Sequence, residues 1–120
     1  MASNGIWVAG EALIDLVPQG NSLTPVVGGG PANTAKALST LGFTPSFIGG
    51  ISSDQYGSMI EAELAEVDLK FTIRLNLPTA LAIVSLDESG SASYEFKLEN
   101  TATFDFRKEW LPSGSQNYYT

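Results

Sequence analysis

Gly28-Gly29-Gly30-Pro31-Ala32-Asn33-Thr34-Ala35-Lys36 is the stretch on which the reading of this chain turns. Three glycines let the backbone come close to a ligand, and a helix start offers free N–H donors. Pro31 sits where that helix begins, a position whose N–H has no intrahelical partner in any case. Ala32, Ala35, Leu38 and Leu41 recur at helical spacing and Gly42 supplies the stop, which predicts a helix over 31–41. Its small residues allow close packing on a sheet. A phosphate loop is the first chemistry to test. From Gly30 the chain reads Gly-Pro-Ala-Asn-Thr-Ala-Lys-Ala, so Ala35 and Ala37 stand where the Walker pattern needs glycine and a hydroxyl. No G-x-G-x-x-G occurs, which removes the dinucleotide fingerprint. A flexible turn feeding a helix is the plain alternative.

Upstream, Ile6-Trp7-Val8-Ala9 reads as a buried strand closed by Gly10. Leu13-Ile14-Asp15-Leu16-Val17 is a second apolar run with one carboxylate inside it, and residues 18–30 read as a loop rich in Pro and Gly. Downstream, Ser46 to Ile51 reads as a second buried strand, which makes strand, helix and strand a βαβ unit with the usual right-handed crossover. Ser53 or Asp54 can cap a further helix with Tyr56, Met59, Ile60, Leu64 and Val67 as its apolar stripe. Glu61, Glu63 and Glu66 then form its solvated side. From Phe71 the period changes. Ala80–Leu86 and Ser91–Leu98 read as a hairpin around Asp87-Glu88-Ser89-Gly90. The tail 113–120 shows no periodicity.

Composition narrows the function. The 120 residues include no cysteine and no histidine. That excludes a disulfide framework, a zinc ribbon, a thiolate nucleophile and a Ser-His-Asp triad within this chain, and leaves a carboxylate site for a hard cation open. Thirteen acidic against six scattered basic residues give a formal charge of −7. Binding to a nucleic acid or an anionic membrane needs Lys/Arg clusters, so neither is expected. Residues 1–17 lack a positive n-region, and Glu11 and Asp15 interrupt the apolar run, so neither a secretory signal nor a membrane-spanning helix is expected there. A cytoplasmic location is the default.

Two polar residues stand out. Asn33 falls in the first helical turn facing the glycine loop, where its amide can donate to and accept from a vicinal diol. Asp15 interrupts an apolar run, and a sugar's hydroxyls are suitable donors to it. A strand-end residue facing solvent is the other reading of Asp15.

Gly10-Glu11-Ala12-Leu13-Ile14-Asp15 together with Gly28-Gly29-Gly30-Pro31-Ala32-Asn33, Ala35, Ala37 and Leu41-Gly42 resemble the first signature of the PfkB (ribokinase-like) carbohydrate kinases. Phe47 to Gly57 resembles that family's second landmark, a glycine-rich strand end followed by an Asp and a Gly opening a helix. Pro78-Thr79-Ala80-Leu81-Ala82 and the hairpin after it fit as well. The wording Gly-Glu-Ala-Leu-Ile-Asp and Gly-Pro-Ala-Asn, and Ser93-Tyr94-Glu95-Phe96 followed by Thr101-Ala102, are most similar to fructokinases.

The resemblance implies an α/β fold: a partial ribokinase-like, Rossmann-like three-layer domain over residues 1–112 with a small β-sheet lid, strands near 12–17 and 71–98, and an irregular tail 113–120. It implies phosphorylation of a sugar's primary hydroxyl by ATP with magnesium. Asp15, Gly28, Gly29, Gly30 and Asn33 match sugar-binding positions, and Tyr94 and Phe96 face the sugar or pack the lid, core packing being the plainer reading of Phe96. The lid closes over the sugar and in many members forms a dimer interface. The family's catalytic base and anion hole lie in a Gly-Ala-Gly-Asp motif that does not occur in these residues, so no catalytic, nucleotide-binding or metal-binding residue is expected here. The chain reads as an N-terminal, sugar-binding part that is inactive alone. Two alternatives stand beside a fructose kinase: a sibling kinase for ribose, 2-keto-3-deoxygluconate or a nucleoside, and a non-catalytic sugar-binding or dimerisation module.

Overall fold

The computed structural model describes residues 5–112 and the backbone of 117–119. Its order is β1 (Ile6–Ala9), β2 (Leu13–Gln19), β3 (Ser22–Gly28), α1 (Gly30–Thr40), β4 (Ser46–Ile48), β5 (Gly50–Ser52), α2 (Gln55–Glu63), β6 (Ile73–Leu75), β7 (Leu81–Leu86), β8 (Ala92–Lys97), a 3-10 turn at Lys108–Trp110, and β9 (Asn117–Tyr119). The strands form three sheets, β4-β1-β9, β3-β2-β7-β8 and β5-β6. β1 and β4 are parallel and α1 lies between them in the chain, so the βαβ unit stands, with the β2–β3 hairpin inserted ahead of its helix.

The apolar pattern accounts for the core. Val8, Ile14, Ala32, Ala35, Phe47, Ile51, Ile60 and Leu64 are buried together, and Trp7, Ala9 and Ile48 form a second cluster under Phe71, Trp110 and Leu111. Ala32 and Ala35 are the small residues that seat α1 against the sheet. Its C-terminus closes as a Schellman motif: Phe43 N–H donates to the Leu38 carbonyl (3.1 Å) and Gly42 N–H to that of Ser39 (3.0 Å).

Several sequence-based expectations need correction. Residues 22–28, read as loop, are β3. The two-residue connection Gly20-Asn21, with Gly20 at φ 64°, turns β2 back on itself in the manner of a type II′ hairpin. Pro25 is tolerated because β3 is an edge strand, and Pro18 lies beyond the segment of β2 that pairs with β7. The sheet expected as a lid near 12–17 and 71–98 is built from 13–28 and 81–97; residues 73–75 belong to another sheet, paired in parallel with β5. Ser46–Ile51 splits at Gly49 into β4 and β5 in different sheets. α1 starts at Gly30, so Pro31 is its second residue, and α2 ends at Glu63, before Val67. In the tail, backbone pairing to β1 overrides the aperiodic sequence, and 117–119 form a parallel strand; 113–116 and 120 lie outside the described residues.

Asp54, not Ser53, caps α2. Its carboxylate accepts the Gly57 N–H at 2.8 Å, the Thr79 hydroxyl at 2.7 Å and the Thr79 N–H at 2.9 Å. Burial alone would raise its pKa, but hydrogen bonds from Thr79, Gly57 and Ser52 outweigh this and hold it below the ordinary value of 3.8. A depressed folded pKa contributes stability that is present above the unfolded value and is lost as pH falls through the folded one. The denaturation midpoints of wild type and Asp54→Ala are accordingly expected to differ most near neutral pH and to converge in acid. A constant gap at all pH values would show that the charge contributes nothing.

Candidate functional site

The four-stranded sheet has two unlike faces. Ile14, Leu16, Val27 and Leu81 point to the core. Alternation puts Asp15, Val17, Val26, Ala82, Val84, Tyr94 and Phe96 on the opposite face, since Asp15 pairs with Val26 and Ala82, and Ala82 with Phe96. Val17, Val26, Tyr94 and Phe96 are exposed there. Asp15 is thus a half-buried carboxylate set in an apolar surface.

Gly28 explains how that carboxylate is placed. A Cβ on Gly28 would collide with Asp15 Oδ2, so the absent side chain is the space the carboxylate occupies. Gly29 follows at φ 103°, and a Cβ there would come within 2.6 Å of the Glu11 carbonyl oxygen. At Gly29 the left-handed backbone and the close carbonyl call for glycine, whereas at Gly28 a side chain would have to push the carboxylate aside. Gly30 opens α1, and a Cβ on it meets nothing within 4 Å, so this side of the turn is accessible. Asn33 N–H donates to the Gly29 carbonyl at 2.9 Å as the first helical hydrogen bond, and the residue is exposed. α1 has no side-chain cap and no acidic residue in its first turn. Gly28, Gly29, Gly30, Asn33 and Asp15 therefore share one junction between the four-stranded sheet and α1. Neither the Asp15 carboxylate nor the Asn33 amide is hydrogen-bonded to another described residue.

Tyr94 and Phe96 are not brought to that junction. Phe96 lies on the same face as Asp15 but two strands away, about 10 Å by strand spacing. Their rings stack on each other, centroids 6.0 Å apart and 14° from parallel. Both are nearly 60% exposed, so core packing is not the role of Phe96; β8 is an edge strand exposed along its length. Glu61 and Glu63 are not merely solvated, for they pair with Arg74 and Lys36 across neighbouring elements. Sequence reasoning missed Thr103, which is buried with its hydroxyl donating to the Ala12 carbonyl at 2.9 Å. Nothing in its local sequence marks that long-range bond.

The described residues contain no cluster of three or more acidic, His or Cys side chains that could hold a metal ion. Lys36, Lys70, Arg74, Lys97 and Arg107 are dispersed, each paired with a carboxylate. No helix among them is long and apolar enough to cross a membrane.

The chain and its fold are similar to known proteins. A fructokinase of Klebsiella pneumoniae is 35% identical over 112 residues, 89% of this chain and 36% of that protein. An aminoimidazole riboside kinase of Salmonella typhimurium is 35% identical over 100 residues, 79% of this chain and 31% of that protein. The crystal structure of a fructokinase with bound ATP from Xylella fastidiosa superposes with a TM-score of 0.81 at 36% identity, over 89% of this chain and 34% of that one. The chain thus spans about a third of the relatives it matches. The sequence pattern of the pfkB family of carbohydrate kinases covers residues 6–118, and with the α/β fold and the glycine-lined junction above, the chain belongs to that family.

Proposed function

We propose that this chain is the sugar-binding, N-terminal part of an ATP-dependent, fructokinase-like sugar kinase, inactive on its own, with magnesium as the metal and with its nucleotide site and catalytic base carried by residues beyond these 120. The observation that carries the reading is the Asp15 carboxylate seated in the space left by Gly28, beside the open start of α1. A carboxylate there accepts two hydrogen bonds, and Asn33 can donate and accept, which together suit neighbouring hydroxyls of a sugar. An apolar surround raises the strength of those bonds by excluding water. The resemblance to fructokinases supports fructose, and the aminoimidazole riboside kinase supports a riboside as the second candidate.

The full-length protein, assayed with ATP and magnesium against fructose, ribose, 2-keto-3-deoxygluconate and a nucleoside, is expected to prefer fructose. Preference for a riboside would transfer the assignment to the sibling reading, and turnover of none would overturn it. Gly28→Ala is expected to displace the carboxylate and raise the sugar KM about 10–100-fold, since small misplacements at a reacting centre are costly. An unchanged KM would detach Gly28 from the site.

We also infer a homodimer through the lid. The exposed apolar face with Val26, Leu86, Tyr94 and Phe96 supports it, since contiguous apolar surface favours association. Light scattering of Tyr94→Ser/Phe96→Ser should report a monomer where the unsubstituted protein is a dimer. A dimer in both places the interface elsewhere.

A further inference from the structure

An N-cap needs one acceptor oxygen, and Asp54 supplies two. Oδ1 serves the cap by accepting the Gly57 N–H at 2.8 Å, and also takes the Thr79 hydroxyl at 2.7 Å. Oδ2 is given to the backbone of a distant segment, accepting the Thr79 N–H at 2.9 Å. Thr79 is buried, and the residue after it leads into β7. The Ala80 carbonyl accepts the Ile14 N–H at 3.1 Å, and the Ala80 N–H donates to Thr103 Oγ1 at 3.4 Å. The Thr103 hydroxyl in turn reaches the Ala12 carbonyl at 2.9 Å. Ala12 and Ile14 flank the start of β2, and Ile14 precedes Asp15. A continuous run of hydrogen bonds therefore joins the start of α2 to the base of both central lid strands.

We propose that Asp54 is a positioning residue: acting through Thr79 and Ala80, it fixes the base of the lid and with it the place of the Asp15 carboxylate over the glycine turn. The inference rests on Asp15 being the sugar-binding carboxylate. A cap alone does not require a carboxylate, since asparagine caps as well. What asparagine cannot do is face the Thr79 N–H with a second acceptor; its amide would set donor against donor. Charge-assisted bonds of this kind are about twice as strong as neutral ones, which suits a joint that fixes the base of the sheet.

Asp54→Asn therefore leaves the cap in place and breaks the link. A double-mutant cycle in the full-length protein, with Asp15→Ala as the second change, reads the coupling. Asp54→Asn is expected to raise the sugar KM about 5–30-fold and to leave the ATP KM within about twofold. In the Asp15→Ala background the same change should add less than about twofold. Thr79→Val should reproduce the effect, and Thr79→Ser, which keeps both donors, should restore it. An unchanged sugar KM in Asp54→Asn, or effects that multiply in the double variant, would overturn the proposal. So would an ATP KM that rises in step, the signature of general loosening. If Asp54→Asn does not fold, Thr79→Val runs the same cycle with the loss of one hydroxyl. If Asp15→Ala leaves the sugar KM unchanged, the sugar-site reading itself fails and the inference with it. A shift in Asp15→Ala without one in Asp54→Asn refutes the inference alone.

Discussion

On the proposed sugar-binding role, Asp15→Ala in the full-length protein is expected to lower kcat/KM for the sugar by roughly 10²–10⁴-fold, mainly through KM. The magnitude follows from the bonds at stake. A hydrogen bond to a charged group contributes about 1.5–3 kcal/mol, and a carboxylate engaging two sugar hydroxyls holds two of them. Each 1.36 kcal/mol corresponds to a factor of about ten. Asp15→Asn keeps one neutral acceptor and should fall between the two. Stability should be nearly untouched, because the carboxylate is bonded to no other described residue and sits in an apolar face. That contrast separates a binding role from a structural one. Steady-state kinetics beside a urea titration measures both, and a large loss of stability with an unchanged sugar KM would count against the assignment.

Much of the candidate site's geometry is legible in the amino-acid sequence. Asp15 betrays itself because a charge in an apolar run is costly unless it is used. Gly28-Gly29-Gly30 ahead of a proline announces a backbone that something must approach closely. The folded chain gives each glycine its own reason: space for the carboxylate at Gly28, the left-handed backbone and carbonyl contact at Gly29, open access at Gly30. β3 is hidden because Pro18 and Pro25 make the segment look like a loop until the edge position that tolerates Pro25 is known. The signal that could have found it is Gly20-Asn21, a two-residue hairpin turn.

The remaining errors share one cause. Alternation in Tyr94 and Phe96 predicts one covered face, and β8 has none among the described residues, because periodicity reports which residues share a side and not what lies against it. Links that depend on tertiary distance are equally silent. Asp54 is legible as a cap, yet its bonds to Thr79 span 25 residues, and that of Thr103 to Ala12 spans 91. No local pattern encodes such a bond. Residues that assemble the base of the four-stranded sheet are therefore invisible to a reading that finds its strands.

Gly57→Ala is expected to be the most damaging single-methyl change for stability. In an exposed helix, glycine to alanine stabilises by roughly 0.5–1 kcal/mol through propensity. Here the added Cβ would collide with the Ser52 carbonyl oxygen and lie 2.7 Å from its carbon. Both are backbone atoms of β5, so no flexible side chain can yield. α2 must move away from the strand, and overpacking of this kind costs about 1–3 kcal/mol. Moving also pulls the Gly57 N–H from Asp54, and a lost cap costs about 0.5–2 kcal/mol more. The opposing terms leave a net loss of roughly 1–4 kcal/mol, a large part of the stability of a small domain. Gly42→Ala is the control: its φ of 95° strains alanine, but a Cβ there meets nothing within 4 Å. Urea midpoints should therefore fall much further for Gly57→Ala than for Gly42→Ala. The reverse order would mean that α2 does not press on β5 and that the Asp54 junction is looser than its hydrogen bonds imply.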